Sequence, residues 1–211
     1  MGGLAEPGKL YLGALDVPDR LAGARVLVRP FEPADVAALH EAVAESREHL
    51  LPWLPWARGH TTREETLDFI ARTRGQWIMR QNFGAGVFLN EDGKLLGGIG
   101  LHAHDWRARG FEIGYWLRRT ATGRGYMREA VQVMTRLAFE GLGANRVVIR
   151  CDARNVRSRR VAEACGYVLE GRHRRDSLDD AGGLRDTLVF ALIREDYDAA
   201  LPSWRAALEA G

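Results

Sequence analysis

The run Phe111–Phe139, FEIGYWLRRTATGRGYMREAVQVMTRLAF, decides how the rest of the chain is read. Its first seven residues are apolar and rich in β-formers with one acid, Glu112, which predicts a strand ending at Tyr115, Trp116 and Leu117. A short stretch of Thr, Gly and Arg follows, Thr122, Gly123, Arg124 and Gly125. From Tyr126 onward, Met127, Ala130, Val131, Met134, Leu137 and Ala138 recur at helical spacing. A strand, a glycine turn and a helix leave several backbone N–H groups converging at the helix start. Such a cradle favours an anion, because the amides and the helix dipole both attract negative charge. Glycine lets the backbone approach that anion closely. Arg118, Arg119, Arg124 and Arg128 crowd the same turn. The alternative is an ordinary strand-to-helix turn in which glycine supplies a positive φ.

Two common phosphate loops are excluded. A Walker loop carries Lys and then Ser or Thr after its second glycine, where Tyr126 and Met127 stand here. A dinucleotide fingerprint needs three spaced glycines and an acid about twenty residues on, and the sequence has neither.

Composition narrows the class further. At 211 residues with 46% hydrophobic and 27% charged content, the chain is predicted to form one globular domain. No apolar stretch approaches a membrane-spanning length, and the N-terminus MGGLAEPGKLYLG lacks a charged-then-apolar signal pattern. A cytoplasmic enzyme is expected. Cys151 and Cys165 are too few for a disulfide framework or a zinc site. A net charge of +2 gives no global field toward nucleic acid. Of 30 basic residues only Lys9 and Lys94 are lysines, a skew that makes arginine clusters weak markers by themselves.

Read in order, residues 1–24 form a leader without sustained period. Arg25–Phe31 alternates as a strand, and Pro33 opens a helix to about Glu45. In Leu50–Trp56, Pro52 and Pro55 interrupt three leucines and two tryptophans, which predicts an irregular apolar loop. Such a loop lines a cleft or folds back as core. Thr62–Glu65 is a capping box for a helix through Gln81, and strands at Ala85–Leu89 and Lys94–His102 flank the turn Asn90–Gly93. His102 and His104 share a strand face with no third ligand nearby, so no metal site is expected. Arg146–Cys151 reads as a buried strand joined to the preceding helix by a crossover, hence a parallel neighbour. A helix at Asn155–Cys165, a strand at Tyr167–Gly171, a turn at Asp179–Gly183, a strand at Leu184–Ile193 and a helical tail 197–211 complete the chain, with the domain proper at 25–196.

The glycine turn resembles the acyl-CoA loop of the GNAT superfamily of N-acetyltransferases, Gln/Arg-x-x-Gly-x-Gly/Ala. Thr122, Gly125 and Met127 hold the three marker positions, the first and last departing from it. GYMREAV is similar to the RimJ/RimL-type ribosomal-protein N-terminal acetyltransferases, which carry a larger residue at the last place. A second segment, CDARNVRSRRVAEACGYVLEG, resembles the GNAT pattern Asn-x-x-Ser-x-x-x-x-Glu-x-x-Gly-aromatic through Asn155, Ser158, Glu163, Gly166 and Tyr167. Each residue alone is explained as a helix cap or surface position; their joint spacing is not.

The resemblance covers roughly residues 25–195. It implies an α/β (in some schemes α+β) fold: a central mixed, mostly antiparallel sheet with one splayed parallel pair, flanked by helices. It implies acetyl-CoA as co-substrate, held by Tyr115, Trp116, Leu117, Thr122, Gly123, Arg124, Gly125, Tyr126, Met127, Arg128, Asn155 and Ser158, with no metal. Asn155 would reach the pantetheine amides and Ser158 would protonate the departing thiolate. Glu112 holds the strand position from which many GNAT enzymes draw a general base, and Asp176 is its rival. The acceptor is expected to be a protein N-terminal amine, a ribosomal protein among the choices, or a small amine. No direct nucleic-acid or membrane partner is expected, and a homodimer is among the expectations. The other class is a catalytically silent GNAT fold that binds through Arg157, Arg159, Arg160, Arg172, Arg174 and Arg175.

Overall fold

Among the described residues, eight strands form one sheet in the order β1-β2-β3-β4-β5-β6-β8-β7. The computed structural model describes residues 15–179 and 181–209; the first fourteen positions of the expected leader, Asp180 of the turn, and the last two residues of the tail lie outside it. The elements are β1 Leu21–Ala22, β2 Val26–Arg29, α1 Val36–Leu50, α2 Arg63–Ile78, β3 Asn82–Leu89, β4 Leu95–Asp105, β5 Gly110–Leu117, α3 Tyr126–Arg136, β6 Arg146–Asp152, α4 Val156–Ala164, β7 Val168–Leu178, β8 Leu184–Ile193 and α5 Arg194–Glu209.

All pairings are antiparallel except β5 with β6. That parallel ladder holds only Gly110↔Arg146, Phe111↔Val147 and Glu112↔Val148. Beyond it β5 stays with β4 as far as Leu117↔Gly97, while β6 stays with β8 as far as Asp152↔Thr187. The two strands therefore fork. Residues 113–117 keep backbone groups directed toward β6 with no strand opposite them, a polar lining that secondary structure leaves open.

Alternation along the strands sends one set of side chains to each face. On one face Val26, Val28, Phe83, Ala85, Val87, Ile99, Leu101, Phe111 and Ile113 pack with Met127, Ala130, Val131 and Met134 of α3. On the other, Phe31, Phe88 and Leu95 meet Leu39, Ala42 and Val43 of α1 and Ile70 of α2. Phe111 and Ile113 are each 1% exposed, which is worth about 2 kcal/mol apiece in removed apolar surface. Burial of this one face, with Glu112 half-buried and Gly114 exposed on the other, holds β5 in place up to the fork.

Several boundaries differ from the sequence reading. The first helix continues to Leu50 because nothing breaks it before Pro52. The irregular segment shrinks to a turn and a 3₁₀ piece, Pro55–Arg58. The third helix changes at Leu137–Gly141 into a π-helical turn, covered by α5: Tyr197 stacks on Phe139 at 4.6 Å, and Arg194 donates to the Phe139 carbonyl at 2.7 Å. The strand expected at Tyr167–Gly171 runs on to Leu178, with irregular register between His173 and Ser177.

Candidate active site

A cavity of about 780 Å³ occupies the fork, a size that suits a small-molecule site. Its walls come from the end of α1 and the following turn (His49, Leu50, Trp53, Leu54), from Glu112–Leu117 of β5, and from Thr122, Gly123, Gly125 and Arg128 of the glycine loop. Ile149–Asp152 of β6, Asn155 and Ser158 of α4, and Ser177, Arg185 and Thr187 of the last hairpin complete them.

The glycine loop has the geometry its composition predicts. Gly123 and Gly125 have φ of +78° and +82°, a region that side chains with a Cβ disfavour. The Glu129 N–H bonds to the Gly125 carbonyl at 3.2 Å, the first i→i−4 bond of α3. The amides of Tyr126, Met127 and Arg128 precede it and have no intrahelical acceptor, and the Gly125 cap has no side chain to offer. Arg128 and the loop glycines line the cavity; Arg124 is exposed, Tyr126 half-buried and Met127 core, and these three bring the loop its backbone rather than side chains in the cavity. Arg118 does not serve the loop. Its side chain is buried against α1, donating at 2.9 Å to both Glu41 and Glu45 and at 3.2 Å to the Ala38 carbonyl.

Asn155 caps α4: its Oδ1 accepts the Ser158 N–H at 3.1 Å. Tyr115 and Ser158 meet across the fork. The Tyr115 Oη lies 3.0 Å from Ser158 Oγ and donates to the Ser158 carbonyl at 3.1 Å. Burial pushes the Tyr115 phenol far above its usual range, so it stays protonated. Burial also raises the Cys151 thiol, with a hydrogen bond from Ser158 opposing the shift.

Glu112 lines the cavity at the last parallel pair, where the strands part. Its partner in register on β4 is His102, whose ring lies over Gly100: a Cβ there would sit 2.8 Å from His102 Nε2. Burial lowers His102, the Glu112 charge opposing it. Asp176 is not among the lining residues. Its carboxylate lies 3.3 Å from Arg150 and 3.6 Å from His173, and a Thr187 hydrogen bond heads the causes that hold it below the usual range.

Of the two tryptophans in the apolar turn, Trp53 lines the cavity. Trp56 instead packs edge-on against Trp116 at 5.7 Å and His60 at 5.9 Å. Arg47 donates to the carbonyls of Ala57, Gly59 and His60, so the turn is tied at three points. No motif or spacing marks His49, Arg150, Asp152, Ser177, Arg185 and Thr187 as members of the site. His49 arrives through the reach of α1, Arg150 and Asp152 through the part of β6 beyond the fork, and Ser177, Arg185 and Thr187 through the bulged hairpin, none of which is visible as a spacing. Arg157 and Arg160, first grouped in a binding patch, also line the cavity, and Arg157 Nη1 lies 3.3 Å from His49 Nδ1. Burial and then Arg157 and Arg119 lower His49, favouring its neutral form. Others of that patch are engaged elsewhere: Arg159 pairs with Glu163 at 2.8 Å and Arg172 with Asp186.

Among the described residues, no group of three His, Cys, Asp or Glu could hold a metal ion, and no helix is long and apolar enough to cross a membrane.

Known proteins share this architecture. Residues 25–168 match the family model described as an acetyltransferase (GNAT) domain. "Putative ribosomal N-acetyltransferase YdaF" of Bacillus subtilis (strain 168) is 32% identical over 176 residues, covering 82% of this chain and 93% of its own. The ribosomal-protein-serine acetyltransferase of Escherichia coli (strain K12) is 28% identical over 138 residues, covering 64% and 75%. Among solved structures, RimL, a ribosomal L7/L12 α-N-protein acetyltransferase in complex with coenzyme A, superposes with a TM-score of 0.77 at 25% identity. That match covers 85% of this chain and 99% of the other.

Proposed function

The chain belongs to the GNAT N-acetyltransferases, and on that premise we propose that its acceptor is the N-terminal α-amine of a protein, a ribosomal protein first among the choices. One observation carries the reading: a single cavity joins the glycine loop, the β5–β6 fork and the apolar turn at Trp53. Donor and acceptor can therefore meet without crossing solvent. The names of the relatives support the choice of acceptor class.

The residues present fit acetyl-CoA. Free amides at 126–128 and glycines at positive φ suit its diphosphate. Unpaired backbone groups of residues 113–117 suit the amides of a pantetheine arm, with Asn155 and Ser158 on the opposite wall. Acetyl-CoA, when bound, supplies the acyl group as a thioester.

The chain's own groups then divide the work. An amine attacks only when deprotonated, and Glu112, at the fork, takes its proton directly or through water. Asp176 is engaged by Arg150 and Thr187 and does not line the cavity, so Glu112 is the stronger choice of base. Backbone N–H groups of β5 toward the fork offer hydrogen bonds to developing negative charge on the acyl oxygen. The departing sulfur takes up the equivalent of the proton that the attacking amine loses; Ser158 Oγ relays it, donating its own proton to the sulfur as it accepts a replacement, and Tyr115 Oη, hydrogen-bonded to that oxygen, holds it in place. The Trp53–Leu54 wall orients the acceptor and excludes water.

The test is thiol release from acetyl-CoA against N-terminal peptides, a polyamine and an amino sugar, with products located by mass spectrometry. Acetylation of peptide α-amines is expected. Faster turnover of the polyamine or amino sugar than of every peptide would overturn the acceptor assignment and leave the transferase.

A further inference from the structure

Arg25 stands just ahead of β2, outside the cavity, yet it grips the glycine loop from behind. Its Nε lies 3.1 Å from Glu129 Oε2, and its own N–H and that of Val26 donate to Glu129 Oε1 at 2.6 and 3.1 Å. Its Nη1 donates to the Arg124 carbonyl at 3.1 Å, and its guanidinium lies 5.0 Å from the centre of the Tyr126 ring. The chain is shaped for this contact: a Cβ on Gly23 would come within 2.6 Å of Glu129 Oε1.

Two consequences follow for an anion at the loop. Glu129 is 7% exposed and is the fourth residue of α3, one turn inside the helix start that would receive a diphosphate. A buried carboxylate there repels that ligand unless its charge is cancelled. Arg25 and two backbone amides cancel it. The second consequence is directional. In a trans peptide the carbonyl and the following N–H point opposite ways, so holding the Arg124 carbonyl turns the Gly125 N–H away from Arg25. Gly125 lines the cavity.

We propose that Arg25 is a positioning residue for the diphosphate of acetyl-CoA, acting through Glu129 and the Arg124 carbonyl without touching the ligand. The proposal rests on the reading of the loop as the acetyl-CoA site.

Calorimetric titration of the full chain with coenzyme A tests it. Arg25→Met keeps the aliphatic stem and is expected to weaken binding by about tenfold; it also leaves the buried Glu129 carboxylate without its cation and lowers the thermal midpoint, so the titrations are run well below that midpoint. Pantetheine, which lacks the diphosphate, should compete equally well against both proteins, a result that a general loss of structure would not give. Arg25→Met combined with Glu129→Gln removes the uncancelled charge and should recover most of the affinity. Arg25→Lys, which keeps the charge but cannot reach Glu129 and the Arg124 carbonyl together, should bind between Arg25→Met and the wild type, and binding no tighter than Arg25→Met would overturn the charge argument. Wild-type affinity in Arg25→Met overturns the proposal and leaves the acetyl-CoA site standing. A double variant no tighter than the single one, or an equal loss for pantetheine, also overturns it. Should the wild type bind no coenzyme A, the loop reading fails and this proposal with it.

Discussion

Tyr115 on β5 and Ser158 on α4 are joined across the fork, Oη to Oγ at 3.0 Å and Oη to the serine carbonyl at 3.1 Å. This contact links the two walls of the cavity and keeps a hydroxyl pair together where the strands no longer touch. Removing Ser158 Oγ should lower kcat by a factor of about ten to a thousand and leave acetyl-CoA affinity nearly unchanged. Tyr115→Phe should give a smaller loss in the same direction. Steady-state kinetics on both variants check this; full kcat in Ser158→Ala would remove the role.

The loop geometry leads to a binding prediction. Gly125 has φ +82°, and a Cβ there would lie 3.3 Å from Arg25 Nη2. Gly125→Val adds backbone strain and a branched side chain beside the free amides. Coenzyme A affinity should fall at least about tenfold, measured by calorimetry on a variant whose circular dichroism matches the wild type. Unchanged affinity would rule out the loop as the diphosphate site.

Trp53 lines the cavity on the apolar turn, whereas coenzyme contacts are assigned to the loop, β5 and α4. Trp53→Ala should therefore raise KM for the acceptor several-fold and leave coenzyme binding alone. Initial rates with each substrate varied separately would show the split. Equal weakening for both substrates would place Trp53 in the shared core instead.

Arg118 makes a stability prediction. Its side chain is 5% exposed and holds Glu41, Glu45 and the Ala38 carbonyl. Arg118→Met keeps bulk but frees those acceptors, two of which reach solvent, so the expected cost is about 2 kcal/mol. Urea denaturation measures it. A midpoint equal to the wild type would show that α1 is anchored by its apolar face alone.

Acid should weaken the fold before the carboxylates titrate. Burial lowers His49, His60 and His102 from an ordinary value of 6.5. Above that value the imidazoles are neutral folded or unfolded, and stability is complete. As pH falls below about 6.5 the unfolded chain takes up protons that the folded chain resists, so stability declines until the lower folded values are passed. Urea midpoints should drop between about pH 7.5 and 5.5. His60 is 9% exposed, with its Nδ1 3.3 Å from Thr66 Oγ1; His60→Gln should flatten the slope. A slope unchanged in that variant would assign the effect to other groups.

Local order was legible where one stretch of chain makes its own case. Phe111–Leu117 alternates and is a strand, Thr62 caps α2 by accepting the Glu65 N–H at 3.2 Å, and Asn155 caps α4. The parallel β5–β6 pair followed from the intervening helix, because a crossover returning to the same sheet must run parallel. Less legible was the direction in which a side chain is spent. Arg118 and Arg128 stand in the same arginine-rich stretch, yet one is sealed against α1 and the other opens on the cavity.

The sequence by itself determined the strand–glycine–helix unit, the helix caps and the coming together of Asn155 and Ser158 on one turn, since each depends on dihedral preferences and hydrogen bonds within a few residues. Only the tertiary structure decided that Tyr115 meets Ser158, that Arg25 cancels Glu129, and that Glu112 rather than Asp176 lines the cavity. Those contacts join residues 43 and 104 positions apart or turn on where two strands fork. Their distances are set by how both faces of the sheet pack, and no local pattern along the chain encodes that sum.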